Sequence, residues 1–129
     1  MGDRASIELV YPRAGNRGER SVWLYTHWGA TAFPNMLNSV LEKHERWYDE
    51  TYLARMIASV VFQYSGIDDS TGAGLAPEYQ DGVAWQVDLG SQTVTQPGSY
   101  SDMRAAGKSY TYTEFLAAFA RGDSFEYED

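Results

Sequence analysis

The sequence predicts an α+β domain: a four-stranded, mainly antiparallel sheet covered on one face by a helical hairpin, with one further helix near the C-terminus. Three observations lead to this prediction. Four segments are predicted as strands: 5–11 and 83–89 alternate in their side chains, 21–28 is an apolar and aromatic run, and 92–96 follows a turn. The segment 49–66 carries the strongest helical periodicity in the chain, and Thr111 with Glu114 forms the capping-box pattern of a last helix.

The stretch 21–29, SVWLYTHWG, is the strand that defines the candidate site. Side chains alternate along a strand, so this stretch presents two different faces. One face is apolar or small and suits a helix-covered core: Val22, Leu24 and Thr26. The other face carries three rings: Trp23, Tyr25 and His27. The second face is therefore predicted to frame a site.

The helices are predicted from their caps and their apolar stripes. Pro34 suits a first helical turn, and the helical spacing that follows predicts a helix to about Arg46. Asp49 is expected to cap a second helix that Gly66 ends. The segments 67–82 and 97–108 are expected to be loops, and the chain is expected to form one domain over 1–122 with a short acidic tail over 123–129.

Composition excludes several functional classes. The 129 residues include no cysteine, so disulfides, thiolate metal sites and cysteine nucleophiles are excluded. A net charge of −8 argues against direct binding to a nucleic-acid backbone. No apolar run reaches membrane-spanning length, so we expect a cytoplasmic protein. The glycines of 67–82 match neither the phosphate-loop pattern of nucleotide hydrolases nor the glycine pattern of dinucleotide-binding folds. No cofactor is expected.

Several short motifs resemble those of a family of small, mostly uncharacterised bacterial and bacteriophage proteins. The start, 1–4, resembles the family's MGDR opening, and 25–29, YTHWG, resembles its YTHWGG signature. Trp47 and Asp49 followed by 52–55, YLAR, look like the family's W-D-x-x-YLAR segment. Three further segments resemble its TG-aromatic-G loop and its closing VD…TV strands: 71–74, 87–88 and 93–94. The similarity covers about 1–94.

The resemblance implies a phage-associated or mobile-element context, in which many small acidic proteins inhibit or sequester something; in a phage-encoded protein the compartment is the host cytoplasm. It carries over no catalytic residue. Two positions depart from the family pattern, because Ala30 replaces a second glycine and Ala73 replaces an aromatic residue. If that aromatic residue contacts a ligand in the family, this chain binds the ligand differently.

The first functional hypothesis is a binding protein, acting in counter-defence, that sequesters a nucleotide-like anion. Aromatic stacking together with an arginine is the minimum needed to hold such a ligand. The motif positions supply both kinds of residue, and the predicted binding set is Arg4, Trp23, Tyr25, His27, Trp28, Trp47, Tyr52 and Arg55. No catalytic residue and no metal ligand is predicted.

Three alternatives stay open at this point. The acidic, tyrosine-rich surface could inhibit a host defence protein as a nucleic-acid mimic of the anti-CRISPR kind. His27 could serve a hydrolase or phosphodiesterase with Asp3, Asp49 or Asp88 as its partner. The same motif residues could also serve only to stabilise the fold, without contacting any ligand. An exposed aromatic face is equally compatible with a homo-oligomer interface.

Overall fold

The computed structural model describes residues 3–11, 20–27, 29–65, 72–99, 102–123 and 125. These residues form six strands and three helices, which follow one another in the chain as β1 (Ala5–Tyr11), β2 (Arg20–Thr26), α1 (Phe33–Leu41), α2 (Glu50–Ser65), β3 (Ala73–Ala76), β4 (Val83–Asp88), β5 (Thr93–Pro97), β6 (Ala106–Thr111) and α3 (Tyr112–Ala120).

The strands form one mixed sheet in the order β3-β2-β1-β4-β5-β6. Strand β1 is antiparallel to β2 and parallel to β4, and the other neighbouring pairs are antiparallel. The α+β class is as predicted, but the prediction of a four-stranded, mainly antiparallel sheet is wrong. Parallel neighbours need a long crossover, and here α1, α2 and β3 lie between β1 and β4 in the chain.

The two additional strands lie in segments that the sequence predicts as loops. Strand β3, AGLA, has a burial pattern without alternation, and β6, AGKSYT, is mostly exposed. They are the two edge strands of the sheet: β3 pairs with β2 at one edge, and β6 pairs with β5 at the other. Their own side chains carry little strand preference, so the edge of the existing sheet determines their conformation.

The first face of the sheet forms the core with the helices. Ile7 is paired with Leu24 on one side and with Trp85 on the other, and all three are buried. The buried side chains of α1, α2 and α3 belong to the same hydrophobic cluster as this face. Phe125, within the expected acidic tail, also packs against it, with its ring 4.9 Å from that of Phe115.

The structure confirms two predicted N-caps, whereas Gly66, predicted to end α2, lies outside the described residues; α1 is shorter than predicted. The Asp49 carboxylate accepts a hydrogen bond from Tyr52 N at 3.1 Å at the start of α2. The capping box joins Thr111 and Glu114 reciprocally at the start of α3. Helix α1 ends at Leu41 rather than near Arg46, because both His44 and Arg46 have a left-handed backbone, with φ 54° and 50°, that an α-helix cannot contain. Among the helices of the described residues, none is long and apolar enough to cross a membrane.

Gly82, directly before β4, allows the backbone there to approach the residue before β1 closely. Its φ is +77°, and a Cβ there would lie 2.2 Å from the backbone oxygen of Arg4. We expect Gly82→Ala to lower the free energy of unfolding by about 2 kcal/mol or more, from the left-handed strain and the clash together. Gly74→Ala is the matched control, because its Cβ would meet nothing within 4 Å. Equal denaturation midpoints for the two variants would contradict this account.

Tyr112 generates a prediction about alkaline pH. Its side chain is buried, and its hydroxyl has no hydrogen-bond partner among the described residues. Burial, followed by the nearby Asp88 and Glu50 carboxylates, raises the pKa of this tyrosine. The unfolded chain therefore ionises first, and stability is lost as the pH rises above about 10. We expect Tyr112→Phe to make this loss less steep and to change stability at pH 7 by no more than about 1 kcal/mol.

Tyr110→Phe is a comparison for the tyrosine prediction, because burial raises the pKa of Tyr110 as well but its hydroxyl has a hydrogen-bond partner. The Tyr110 hydroxyl donates a hydrogen bond of 2.6 Å to Gln96 Oε1 inside the protein. Its removal should lower the free energy of unfolding by about 1 kcal/mol at neutral pH because this internal hydrogen bond is lost. Urea titrations of both variants at pH 7 and pH 10.5 measure the difference. If the free energy of unfolding of Tyr112→Phe falls between pH 7 and pH 10.5 as much as that of the unchanged protein, Tyr112 is not the cause of the alkaline loss.

Candidate functional site

The second face of the sheet, which we call the open face, carries the polar and aromatic side chains of the strands. One row crosses all six strands through directly paired residues: Ala76, Trp23, Glu8, Gln86, Thr95 and Ser109. Residues paired across neighbouring strands bring their side chains together on one face. The register of the sheet therefore places an indole, a carboxylate, an amide and a hydroxyl side by side.

A groove of about 290 Å³ lies over this row. Its lining includes Glu8, Trp23, Ala84, Gln86, Thr95 and Arg104. That volume lies at the lower end of the range typical of small-molecule sites, about 300–1,000 Å³. The strands provide the floor of the groove and the segment before β6 provides Arg104.

The Glu8 carboxylate is held from two sides. The Ser21 hydroxyl donates a hydrogen bond to Oε2, and Gln86 Nε2 donates to Oε1 at 3.0 Å. Both donors come from strands that flank β1, so the carboxylate is oriented by the sheet itself. A fixed carboxylate in the floor of a groove is suited to accept hydrogen bonds from a ligand.

One wall of the groove is aromatic and cationic. The ring of Tyr79 lies edge-on to that of Trp23, with 6.2 Å between centroids. The guanidinium of Arg104 lies over the Tyr79 ring, 4.5 Å from its centroid. Of the two ion pairs between described residues, neither includes Arg104. Arg104 is thus a candidate cation for an anionic group, since no described carboxylate forms an ion pair with it.

The segment 77–82 is fastened to the open face mainly by Ser6. The buried Ser6 hydroxyl donates to Asp81 O at 2.8 Å and accepts from Gln80 N and Asp81 N at 3.2 Å. Arg4 pairs with the Asp81 carboxylate at 2.9 Å. Burial raises the pKa of Tyr79, helped by Asp81, so its hydroxyl stays protonated and donates to Gly82 O at 2.6 Å. These contacts hold the Tyr79 ring against Trp23.

Four of the predicted site residues lie at this face or at its rim. Trp23 and Tyr25 lie on the open face, as the alternation of β2 predicts. The Tyr25 hydroxyl is 3.3 Å from His27 Nδ1, and burial is the main cause that raises the pKa of Tyr25. Arg4 lies at the same end of the sheet and acts there through Asp81. Trp28 lies outside the described residues.

The other three predicted residues belong to the helical side of the sheet. Trp47 packs edge-on against Tyr112, 5.3 Å between centroids, and its indole nitrogen donates to Leu41 O at 3.2 Å. Arg55 lies over the ring of Tyr52, 5.3 Å from its centroid, on α2. Because α2 packs on the first face, the structure does not bring these three residues together with Trp23 and Tyr25.

The three carboxylates proposed as partners of His27 cap backbone groups. Asp3 accepts from Thr31 N at 2.8 Å, Asp49 caps α2, and Asp88 accepts from the backbone of the turn after β4. Within the described part of the chain, no three His, Cys, Asp or Glu side chains are grouped as a metal site would require.

Sequence reasoning missed the polar lining residues Glu8, Gln86, Thr95 and Arg104, and also Tyr79, whose ring contacts Trp23 and Arg104 beside the groove. Three of them carried a usable signal, because Glu8, Gln86 and Thr95 are polar positions of segments correctly predicted as strands. That Glu8 and Gln86 lie next to each other follows only from the parallel pairing of β1 with β4. Tyr79 and Arg104 lie in segments predicted as loops, and no spacing in the sequence connects them.

Comparison of the chain with protein-family models, with curated proteins and with solved structures gives no match.

Ser6 provides a test of how the wall of the groove is held. We expect Ser6→Ala to lower the free energy of unfolding by about 1–3 kcal/mol, because two backbone N–H groups lose their acceptor in a partly buried place. Trp23 fluorescence should also change as Tyr79 moves. The matched control is Ser109→Ala, whose hydroxyl pairs with Thr95 at an exposed position; its stability should change by about 0.5 kcal/mol at most. A stable Ser6→Ala variant with unchanged emission would contradict this role.

Proposed function

We propose that this protein binds and sequesters a small anionic ligand that contains a planar ring, nucleotide-like in its chemistry, in the open-face groove. The observation that carries the proposal is the combination of Trp23, Glu8 and Arg104 around one cavity of about 290 Å³. These are a stacking surface, a hydrogen-bond acceptor and a cation, which are the three groups that recognise a ring, its polar edge and its charge.

The charge distribution supports a single anionic group rather than a polyanion. The chain carries a net charge of −8, so its surface as a whole repels a nucleic-acid backbone. Arg104 provides a local positive group that the Tyr79 ring orients. An arginine in that position pairs well with a phosphate or carboxylate because its guanidinium donates in a planar fork.

The groups that line the groove support binding without conversion of the ligand. Trp23, Gln86 and Thr95 provide contact and hydrogen bonds, and Glu8 is already engaged by two donors. A phage-associated counter-defence role, in which the protein lowers the free concentration of a signalling nucleotide, is the context that we propose for this binding; it rests on the motif resemblance alone.

Native mass spectrometry tests the proposal directly. The purified chain is measured alone and with a panel of mono-, di- and cyclic nucleotides, and the affinity of any adduct is then measured by calorimetry. We expect one discrete adduct per groove, with the bound ligand recovered at its original mass. A ligand recovered as a product would contradict sequestration, and a clean apo mass across the panel would contradict nucleotide binding and favour a protein partner.

Variants on opposite sides of the sheet locate the site. Arg104→Ala should weaken binding about tenfold or more, because a hydrogen bond to a charged group contributes about 1.5–3 kcal/mol. Trp23→Leu should weaken binding by a similar factor through lost stacking, about 1–3 kcal/mol per base.

Arg55→Ala is the matched control, because Arg55 also lies over a tyrosine ring but on α2. Its affinity should equal that of the unchanged protein. Loss of binding in Arg55→Ala with full binding in Arg104→Ala would place the site on the helical side instead.

A further inference from the structure

We propose that the groove selects a guanine-type ring, a planar ring with two neighbouring N–H donors on one edge, and that this edge meets Glu8 while the anionic group meets Arg104. The inference rests on the proposed function and specifies its ligand. It follows from the balance of donors and acceptors in the groove floor.

The Glu8 carboxylate presents two acceptors in a fixed orientation. Ser21 and Gln86 each donate to a different oxygen from the flanking strands. A carboxylate oxygen can accept more than one hydrogen bond, so each oxygen keeps capacity for a ligand donor. Because the sheet orients the group, a ligand that matches both oxygens gains two hydrogen bonds without reorganising the site.

Gln86 increases the number of acceptors in the floor. Its amide nitrogen faces Glu8, because a carboxylate offers no hydrogen to the amide oxygen. The Gln86 carbonyl oxygen is therefore the acceptor end of a side chain that lines the groove. A carboxylate and an amide oxygen side by side favour a ligand edge that donates, and they disfavour an edge that presents its own lone pairs.

The common nucleobases differ on this point. Guanine places a ring N–H next to an amino group, which matches two carboxylate oxygens. Adenine and cytosine place an amino group next to a ring nitrogen that accepts, and uracil places one N–H between two carbonyls. With these three bases an acceptor of the ligand would face an acceptor of the floor, and a desolvated acceptor without a donor is unfavourable.

Pterins carry the same pair of neighbouring donors as guanine. The ring chemistry alone therefore fits a guanine nucleotide and a pterin equally. The two sources differ in their anionic group, so guanosine 5′-monophosphate and pterin-6-carboxylate form separate arms of the experiment.

The test is calorimetry of the full chain with guanosine, adenosine, cytidine and uridine 5′-monophosphates and with pterin-6-carboxylate, at one ionic strength. We expect a guanine-type ligand to bind about tenfold or more tightly than the adenosine, cytidine and uridine compounds, the discrimination typical of a bidentate contact to a base edge. Tight binding of only the pterin would identify that source, and tight binding of the guanosine compound would identify a nucleotide.

Glu8→Gln changes one of the two acceptors into a donor and should remove most of the preference for guanine over adenine. Glu42→Gln, at an exposed position after α1, is the control and should keep it. Ser21→Ala removes the hydroxyl that orients Glu8 without changing charge, and a smaller loss of preference is expected. This second variant keeps the test informative if thermal melts show that Glu8→Gln is unfolded.

The failures of the two proposals are distinguishable. Two results would overturn the ring selectivity and leave the proposed function standing. In the first, all four nucleotides bind equally and Arg104→Ala abolishes this binding. In the second, the preference for guanine survives both Glu8→Gln and Ser21→Ala. Binding of none of the compounds by the unchanged protein would overturn both.

Discussion

The double pairing of β1 is the constraint on which the rest of this structure depends. It binds β2 antiparallel on one side and β4 parallel on the other, so its alternate side chains determine the composition of both faces of the sheet. Ile7 and Leu9 face the helices, whereas Ser6 and Glu8 lie on the open face, Ser6 under the segment 77–82 and Glu8 in the groove. A parallel partner also requires the chain to return to the same end of the sheet before β4 begins. Two of the three helices that cover the core, α1 and α2, lie in this return, so this part of the core and the groove are consequences of one strand arrangement.

The groove combines a rigid floor with walls that are fastened less extensively. Floor residues such as Gln86 are held by backbone pairing on both sides of their strand. Tyr79 is held by the Ser6 hydroxyl, by one exposed ion pair between Arg4 and Asp81, and by contacts to aromatic and cationic neighbours. An exposed ion pair contributes little to stability, so the buried Ser6 hydroxyl carries most of this attachment.

Local patterns in the sequence predicted those elements whose own residues determine their conformation. The alternation in β2 correctly placed Trp23 and Tyr25 on the face away from the helices, and Asp49 and Thr111 capped helices where their side chains predicted caps. Strands β3 and β6 were missed because pairing with the sheet edges determines them. The site was only partly predictable for a related reason. Neither the contact of Glu8 with Gln86 nor that of Tyr79 with Arg104 follows from sequence spacing.

The floor and the wall of the groove differ in how freely they can change over evolutionary time. A strand position such as Glu8 lies between core residues of the same strand, so its backbone is constrained by the opposite face as well. Tyr79 and Arg104 lie on connections between strands and are joined by a cation–π contact that contributes only about 0.5–1 kcal/mol at an exposed position. Substitutions of these two residues therefore change the side of the groove without disturbing the pairing of the strands, whereas a substitution of Glu8 acts on a strand that also forms the core.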